Sequence, residues 1–204
     1  MEQQLSEQWD GSGNYDTVPG RVLAHKLAEN TLDVARQIDA DRYAPHITLL
    51  YKESVKLLRP LYKRDPESYR EQYAVSLHQF SIDMCRNHNW EQASHVARGA
   101  VRLRRHLCET DPQPARHCVD LASSLGAVAH SLHKMGRVED ARVATREMLA
   151  FRRQLYLRNP NIRGVELAVF LRDYGSFLAE AQSHLLTRTQ LAGKRGRSRL
   201  IARS

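Results

Sequence analysis

Ten histidines and three cysteines are the residues of this 204-residue chain best suited to chemistry, and their spacing offers little of it. His130 and His133 lie three apart, which on a helix puts both imidazoles on one face, as two metal ligands would sit. No third ligand follows at a suitable spacing, so the pair reads as a polar wall, and no metal or other cofactor is expected. Cys108 and Cys118 have His106 and His117 close in sequence, but a thiol nucleophile needs a base that converges on it in space, and residues flanking a helix junction more often pack or face solvent. With Cys85 the three cysteines form an odd set without a CxxC pair, which argues against a disulfide framework or a structural zinc site. The chain contains no GxSxG elbow, no HExxH, no GxxxxGK[ST] and no strand-flanked GxGxxG, and GKRGRS at 193–198 lacks the upstream glycine of a phosphate-binding loop. The sequence is expected not to be that of an enzyme.

The elements that carry these residues must come from an ordinary globular composition, 42% hydrophobic and 26% charged, long enough for one domain with a continuous core. No apolar run approaches the roughly 18 residues that would span a bilayer, and the polar, acidic start differs from a signal peptide. A cytoplasmic protein without a membrane partner is expected, with a nuclear location as the alternative. Charge is uneven. Residues 1–20 carry Glu2, Glu7, Asp10 and Asp16 without Lys or Arg, and are read as a disordered acidic segment; residues 193–204 carry Lys194, Arg195, Arg197, Arg199 and Arg203 without an acid. With a net charge of +8 the body between them is basic in its own right, which favours acidic partners.

Self-similarity is the strongest signal. VRLRRHLCETDP (101–112) lies over VKLLRPLYKRDP (55–66) with a shift of 46, and LAFRRQLYLRNP (149–160) lies over 101–112 with a shift of 48. The intervening stretches repeat as well: YAVSL at 73–77 aligns with LASSL at 121–125 and LAVFL at 167–171, and WEQA at 90–93 with VEDA at 138–141. Within a unit the apolar residues fall at helical spacing, as Leu121, Leu125, Val128, Leu132 and Met135 do, followed by Val138, Ala141, Thr145, Met148 and Leu155. Each unit is therefore predicted to be two helices. Gly136-Arg137 supplies the turn between them, and an Asp-Pro or Asn-Pro step ends the second helix, because the residue before proline is pushed out of the α region.

On these residues the chain resembles the tetratricopeptide repeat family, of the long-unit kind found in kinesin light chain and in fungal and bacterial scaffolds. Leu125, Val128, Ala129 and Leu132 take the bulky and small places of the family's first helix, Gly136 the turn, Ala141 the alanine of the second helix and Pro160 the closing proline. Leu77, Phe80, Ser81, Met84, Ala93 and Ala100 do so in the preceding unit, and Leu171, Tyr174, Gly175 and Leu178 match the first helix of the following one. The match covers residues 69–182; Leu27-Ala28 and Val55 extend it towards the start. The resemblance implies an all-α right-handed superhelix of about three to four helix pairs over residues 21–184, with 185–204 a short capping helix and a mobile basic tail.

The resemblance also implies a groove lined by the first helices. Carried over place by place, its wall is Arg36, then His78 and Arg86, then His130, His133 and Lys134, then Arg172, a basic set suited to an acidic or extended peptide or a partner helix. The two-carboxylate clamp of chaperone-binding members needs an Asn where this chain has Ile82, His130 and Ser176, so chaperone tails are disfavoured. A non-enzymatic protein-binding scaffold is therefore the leading expectation. Two alternatives stand beside it. One is a nucleic-acid-associated repeat using the basic body and the tail residues Lys194, Arg195, Arg197 and Arg199, the tail serving equally as an import signal or solubiliser. The other is a self-assembling protein whose incomplete last repeat is covered by a second copy. Arg98, Arg102, Arg142 and Arg146 with the Arg-Arg steps at 104–105 and 152–153 read as a solvated outer face rather than a nucleic-acid stripe.

Overall fold

A computed structural model describes residues 17–37, 40–110 and 115–158. Every element among the described residues is an α-helix: α1 Val18–Gln37, α2 Ala40–Arg64, α3 Pro66–Arg86, α4 Trp90–Thr110, α5 Ala115–Lys134 and α6 Val138–Arg158. Links of four residues or fewer fold successive helices back on one another. From α1 to α5 each helix packs against the next in chain order, and α3 also touches α5. Two compact units divide the chain, Met1–Phe151 and Arg152–Ser204, and the first holds α1 to α5 and most of α6.

The sequence period reappears in the helices. α4 and α6 are both 21 residues long and coincide under the 48-residue shift, and α5 is α3 moved by the same shift to within one residue. Ala93 and Ala141, Ser76 and Ser124, and Leu77 and Leu125 are buried at equivalent places. α2 ends at Arg64 because Asp65, preceding Pro66, leaves the helical region at φ −137° and ψ 83°. Asp65 then caps α3, its carboxylate accepting the Ser68 amide at 3.2 Å, while Pro66 takes the first helical position, where no amide donor is needed. α1 starts at Val18, inside the stretch read from sequence as disordered, because Thr17 caps it through the Gly20 amide at 3.2 Å. The rest of that stretch, residues 1–16, lies outside the described residues, as do 159–204.

The two three-residue turns, 87–89 and 135–137, share one geometry, which the sequence shows in only one of them. After α5, the Arg137 amide donates to the Leu132 carbonyl at 2.9 Å and the Gly136 amide to the His133 carbonyl at 2.8 Å, with Gly136 left-handed at φ 73°. After α3, Asn89 donates to Met84 at 2.9 Å and His88 to Cys85 at 3.1 Å, and the left-handed place at φ 59° is held by His88. A Cβ in this region costs about 1 kcal/mol. Gly136→Ala is accordingly expected to destabilise the fold by about 1 kcal/mol. His88→Gly should stabilise it by about 0.5 kcal/mol, the gain being reduced by backbone entropy and by loss of the edge-on contact between His88 and Trp90. Chemical denaturation of both variants checks the signs.

The core runs along the helix row in three joined clusters. Leu32 and Ala35 of α1 pack with Ile47 and Tyr51 of α2, Phe80 and Met84 of α3 and Ala93 of α4. Ala24 and Ala28 meet Leu57, Leu58 and Leu61, and Ala74 and Leu77 meet Ala100 and Leu103. Small residues of α1 let α2 approach closely, and each fully buried Leu contributes about 2 kcal/mol. Leu27, which the repeat pattern places in the core, is 42% exposed, and Val34 is exposed beside it. The equivalent face of α3, at Tyr73 and Phe80, packs on the helix preceding it, and among the described residues no helix precedes α1.

Candidate functional site

Among the described residues, the basic residues expected to share one groove stand in different surroundings. Arg36 is exposed on α1 and paired with Asp33 at 3.2 Å; Arg86 is exposed in the last turn of α3. These two do come together, since both guanidiniums, with the buried Asp83, act on the Tyr51 hydroxyl, whose pKa is raised chiefly by burial. Asp83 is held there by the Thr48 hydroxyl at 2.5 Å and the Asn87 amide at 3.3 Å, tying α3 to α2. On α5, His130 and Lys134 are exposed and His133 is half-buried; Trp90 stands edge-on to His130 with ring centroids 5.6 Å apart. Arg172 and the tail residues Lys194, Arg195, Arg197 and Arg199 lie outside the described residues.

His78 lines no groove. It is 8% exposed, with Nδ1 3.3 Å from the Ser124 Oγ of α5. α3 turns this place towards α5, so the imidazole is enclosed, and burial followed by the nearby Arg104 guanidinium lowers its pKa to about 3. Arg104 itself, read from sequence as part of a solvated stripe, is 4% exposed and donates to the Asp120 carbonyl at 2.7 Å and to the Ser124 Oγ at 2.5 Å. His78, Arg104 and Ser124 thus form a polar knot joining α3, α4 and α5.

The rest of the stripe separates into two groups. Arg105 is held bidentately by Glu147 of α6 at 2.6 and 2.7 Å, and Arg142 pairs with Glu139 at 3.1 Å. Arg98 and Arg102, in contrast, face a cleft between α2 and α4 and have no acidic partner among the described residues. The same holds for Lys52, Arg59 and Lys63 on the opposite wall, which recur at seven and four residues and so share a face of α2. The floor is α3. Towards one end, Phe80 and Met84 lie with Thr48, Glu91 and Gln92 in a space of about 960 Å³; towards the other, Tyr73 and Leu77 lie with Arg59, Lys63 and Arg102 in about 700 Å³. His95 and Val96 line both, so the two spaces form one channel along α3.

At the second end Tyr62 stacks on Tyr73 with centroids 5.2 Å apart and planes at 28°. Burial raises the Tyr73 pKa, against the pull of Arg59 and Arg102, which lie near enough to act on its hydroxyl from the two walls. Arg70 stands at the same end but is already held bidentately by Glu67 at 2.8 and 3.0 Å. Chemically the cleft is a neutral donor and several unneutralised cations over an apolar floor, an arrangement for holding an anion. Sequence reasoning missed Lys52, Arg59 and Lys63. The signal was their spacing, but a spacing does not say which face of a neighbouring helix it will oppose.

Cys108, at the end of α4, lacks the makings of a nucleophile. Burial first, then a hydrogen bond with the Cys118 thiol, pushes Cys108 up to about 12, so it remains a thiol. Among the described residues no three His, Cys, Asp or Glu side chains converge to hold a metal, and no helix is long and apolar enough to cross a membrane. Comparison of the chain with protein-family models and with curated proteins gives no match.

Proposed function

We propose that this chain is a non-enzymatic binding module, a tetratricopeptide-like helical repeat that takes an acidic segment of a partner protein along its basic cleft. One observation carries the reading: Arg59 and Lys63 of α2 face Arg102 of α4 across the channel without an acidic partner among the described residues, while neighbouring Arg70, Arg105 and Arg142 each have one. Exposed cations that a fold leaves unneutralised inside a concavity raise the local concentration of anions and give them hydrogen-bond donors in fixed directions. Val96 of α4 and the exposed edges of Leu77, Phe80 and Met84 on the floor add a small apolar contact for an acidic peptide with apolar side chains.

On this reading the cations come from the second helices of the repeats over a first-helix floor, whereas the family resemblance points to the first helices. The experiment is fluorescence anisotropy with a labelled peptide of alternating glutamate and leucine, comparing the intact protein with Arg59→Ala/Arg102→Ala and with Arg86→Glu/Lys134→Glu. The first pair is expected to weaken binding about 30-fold, roughly 2 kcal/mol, and the second to leave it within about threefold. Loss confined to the second pair would move the site to the first-helix edge formed by Arg86 and Lys134.

A further inference from the structure

We propose that the Tyr73 end of the cleft is a phosphoryl-binding site, which takes a phosphorylated serine or threonine on an extended segment of the partner. The proposal rests on the cleft reading above and narrows it to one chemistry. Two features of this end point to a phosphoryl group rather than a single carboxylate. First, the cations come from two walls: Arg59 and Lys63 from α2 and Arg102 from α4, with Arg59 and Arg102 both near enough to act on the Tyr73 hydroxyl. A phosphoryl group carries close to two negative charges and three acceptor oxygens, enough for donors on opposite sides at once, whereas a carboxylate has one charge and two oxygens in one plane. Second, Tyr73 brings a neutral hydroxyl donor to the same space, its ring steadied by Tyr62.

Gly99 lies on the α4 wall, and a Cβ there would meet Leu77 Cδ1 at 3.3 Å, so glycine lets α4 sit close on α3 at this end. Arg70, the cation whose charge would otherwise add to the site, is already neutralised by Glu67. The other end of the channel sets what accompanies the phosphoryl group. From Tyr73 to Phe80 and Met84 is seven to eleven residues of α3, about 10 to 17 Å at the helical rise, the reach of roughly three to five extended residues. The ligand is therefore an extended segment with an apolar side chain about four residues from its phosphorylated one. Phe80, Met84 and Val96 at that end suit an apolar side chain, and Lys52, Arg98 and Glu91 give the lining around them mixed charge rather than the uniform positive charge a phosphate backbone would select. This favours a peptide over a nucleic-acid strand.

The test uses three versions of one labelled peptide of about twelve residues, glycine- and serine-based, with leucine four residues from a central phosphoserine, glutamate or serine. A single-stranded oligonucleotide of similar length serves as the fourth probe. Anisotropy with the full chain is expected to show the phosphoserine form binding at least about tenfold more tightly than the glutamate form and the serine form weakest. Arg59→Ala and Arg102→Ala should each remove most of that preference, and Tyr73→Phe, which keeps the ring stack, should reduce it about threefold. Equal binding of the phosphoserine and glutamate forms would overturn the phosphoryl site while leaving the acidic-segment reading intact. Absence of binding by all three peptides would overturn the phosphoryl site, and failure of the alternating glutamate and leucine peptide as well would sink both. Tighter binding of the oligonucleotide than of the phosphopeptide, lost in Arg102→Ala, would give the cleft to nucleic acid instead. Circular dichroism of each variant separates loss of the site from loss of the fold.

Discussion

Arg104→Ala is expected to cost the fold about 3 kcal/mol, among the largest single effects on its stability. The guanidinium is 4% exposed and supplies donors to the Asp120 carbonyl at 2.7 Å and the Ser124 Oγ at 2.5 Å, across the α4–α5 contact. Truncation deprives these acceptors of a buried partner, at about 1 to 3 kcal/mol, and leaves a cavity that adds to the loss. The charge itself is a smaller part of the effect. Burial pulls the Arg104 pKa down further than the nearby Asp120 and Glu71 carboxylates pull it up, so the net direction is downward and the buried charge is only partly compensated. Arg104→Met, which keeps most of the volume without the donors, should therefore cost only about 1 to 2 kcal/mol. Urea unfolding followed by circular dichroism measures both; an alanine variant within about 0.5 kcal/mol of the parent would show that the guanidinium does not tie α4 to α5.

Lowering the pH from 7 to 5 is expected to remove about 2 kcal/mol of stability through His78 alone. Its folded pKa is about 3, against roughly 6.5 in an unfolded chain. Below pH 6.5 the unfolded state takes up a proton that the folded state refuses, so stability falls as the pH drops from about 6.5 towards 3, and above 6.5 the group has no effect. The cause is enclosure first and the adjacent Arg104 charge second; Ser124 offers the ring only a hydroxyl. Leu32 occupies the equivalent buried place of α1, which makes His78→Leu the natural comparison. That variant should show a flatter stability curve between pH 5 and 7, by about 2 kcal/mol, than the parent. An identical fall in both would mean that the imidazole is hydrated in the folded state and the pH dependence arises elsewhere.

Both effects sit at repeat positions where the period alone is uninformative. The place filled by His78 in α3 is Leu32 in α1 and Gly126 in α5, and the place of Arg104 in α4 is Leu58 in α2. A repeat specifies that such a place faces inward, and the two or three residue types found there say nothing of the partner each will meet. Arg104 looked like one of several arginines on a solvated face because its neighbours Arg98, Arg102 and Arg105 are charged. Only the packing of α5 onto α4 encloses it and leaves the others out.

By itself the sequence determined the helices and their order. The Asp65-Pro66 step, the Gly136 turn and the alanines at 93 and 141 follow from local steric rules and from a spacing of 46 to 48 residues, and the helix ends agree with them closely. It also marked the chain as basic, but it could not sort those charges. Tertiary structure decided that Arg105 and Arg142 are neutralised, that His78 is sealed in the core, that His88 takes a left-handed turn without glycine, and that Lys52, Arg59 and Lys63 of one helix face Arg98 and Arg102 of another. The reason is that periodicity records which residues share a face of one helix, whereas a site is made where two faces oppose, and the distance between them is set by packing residues far away in sequence.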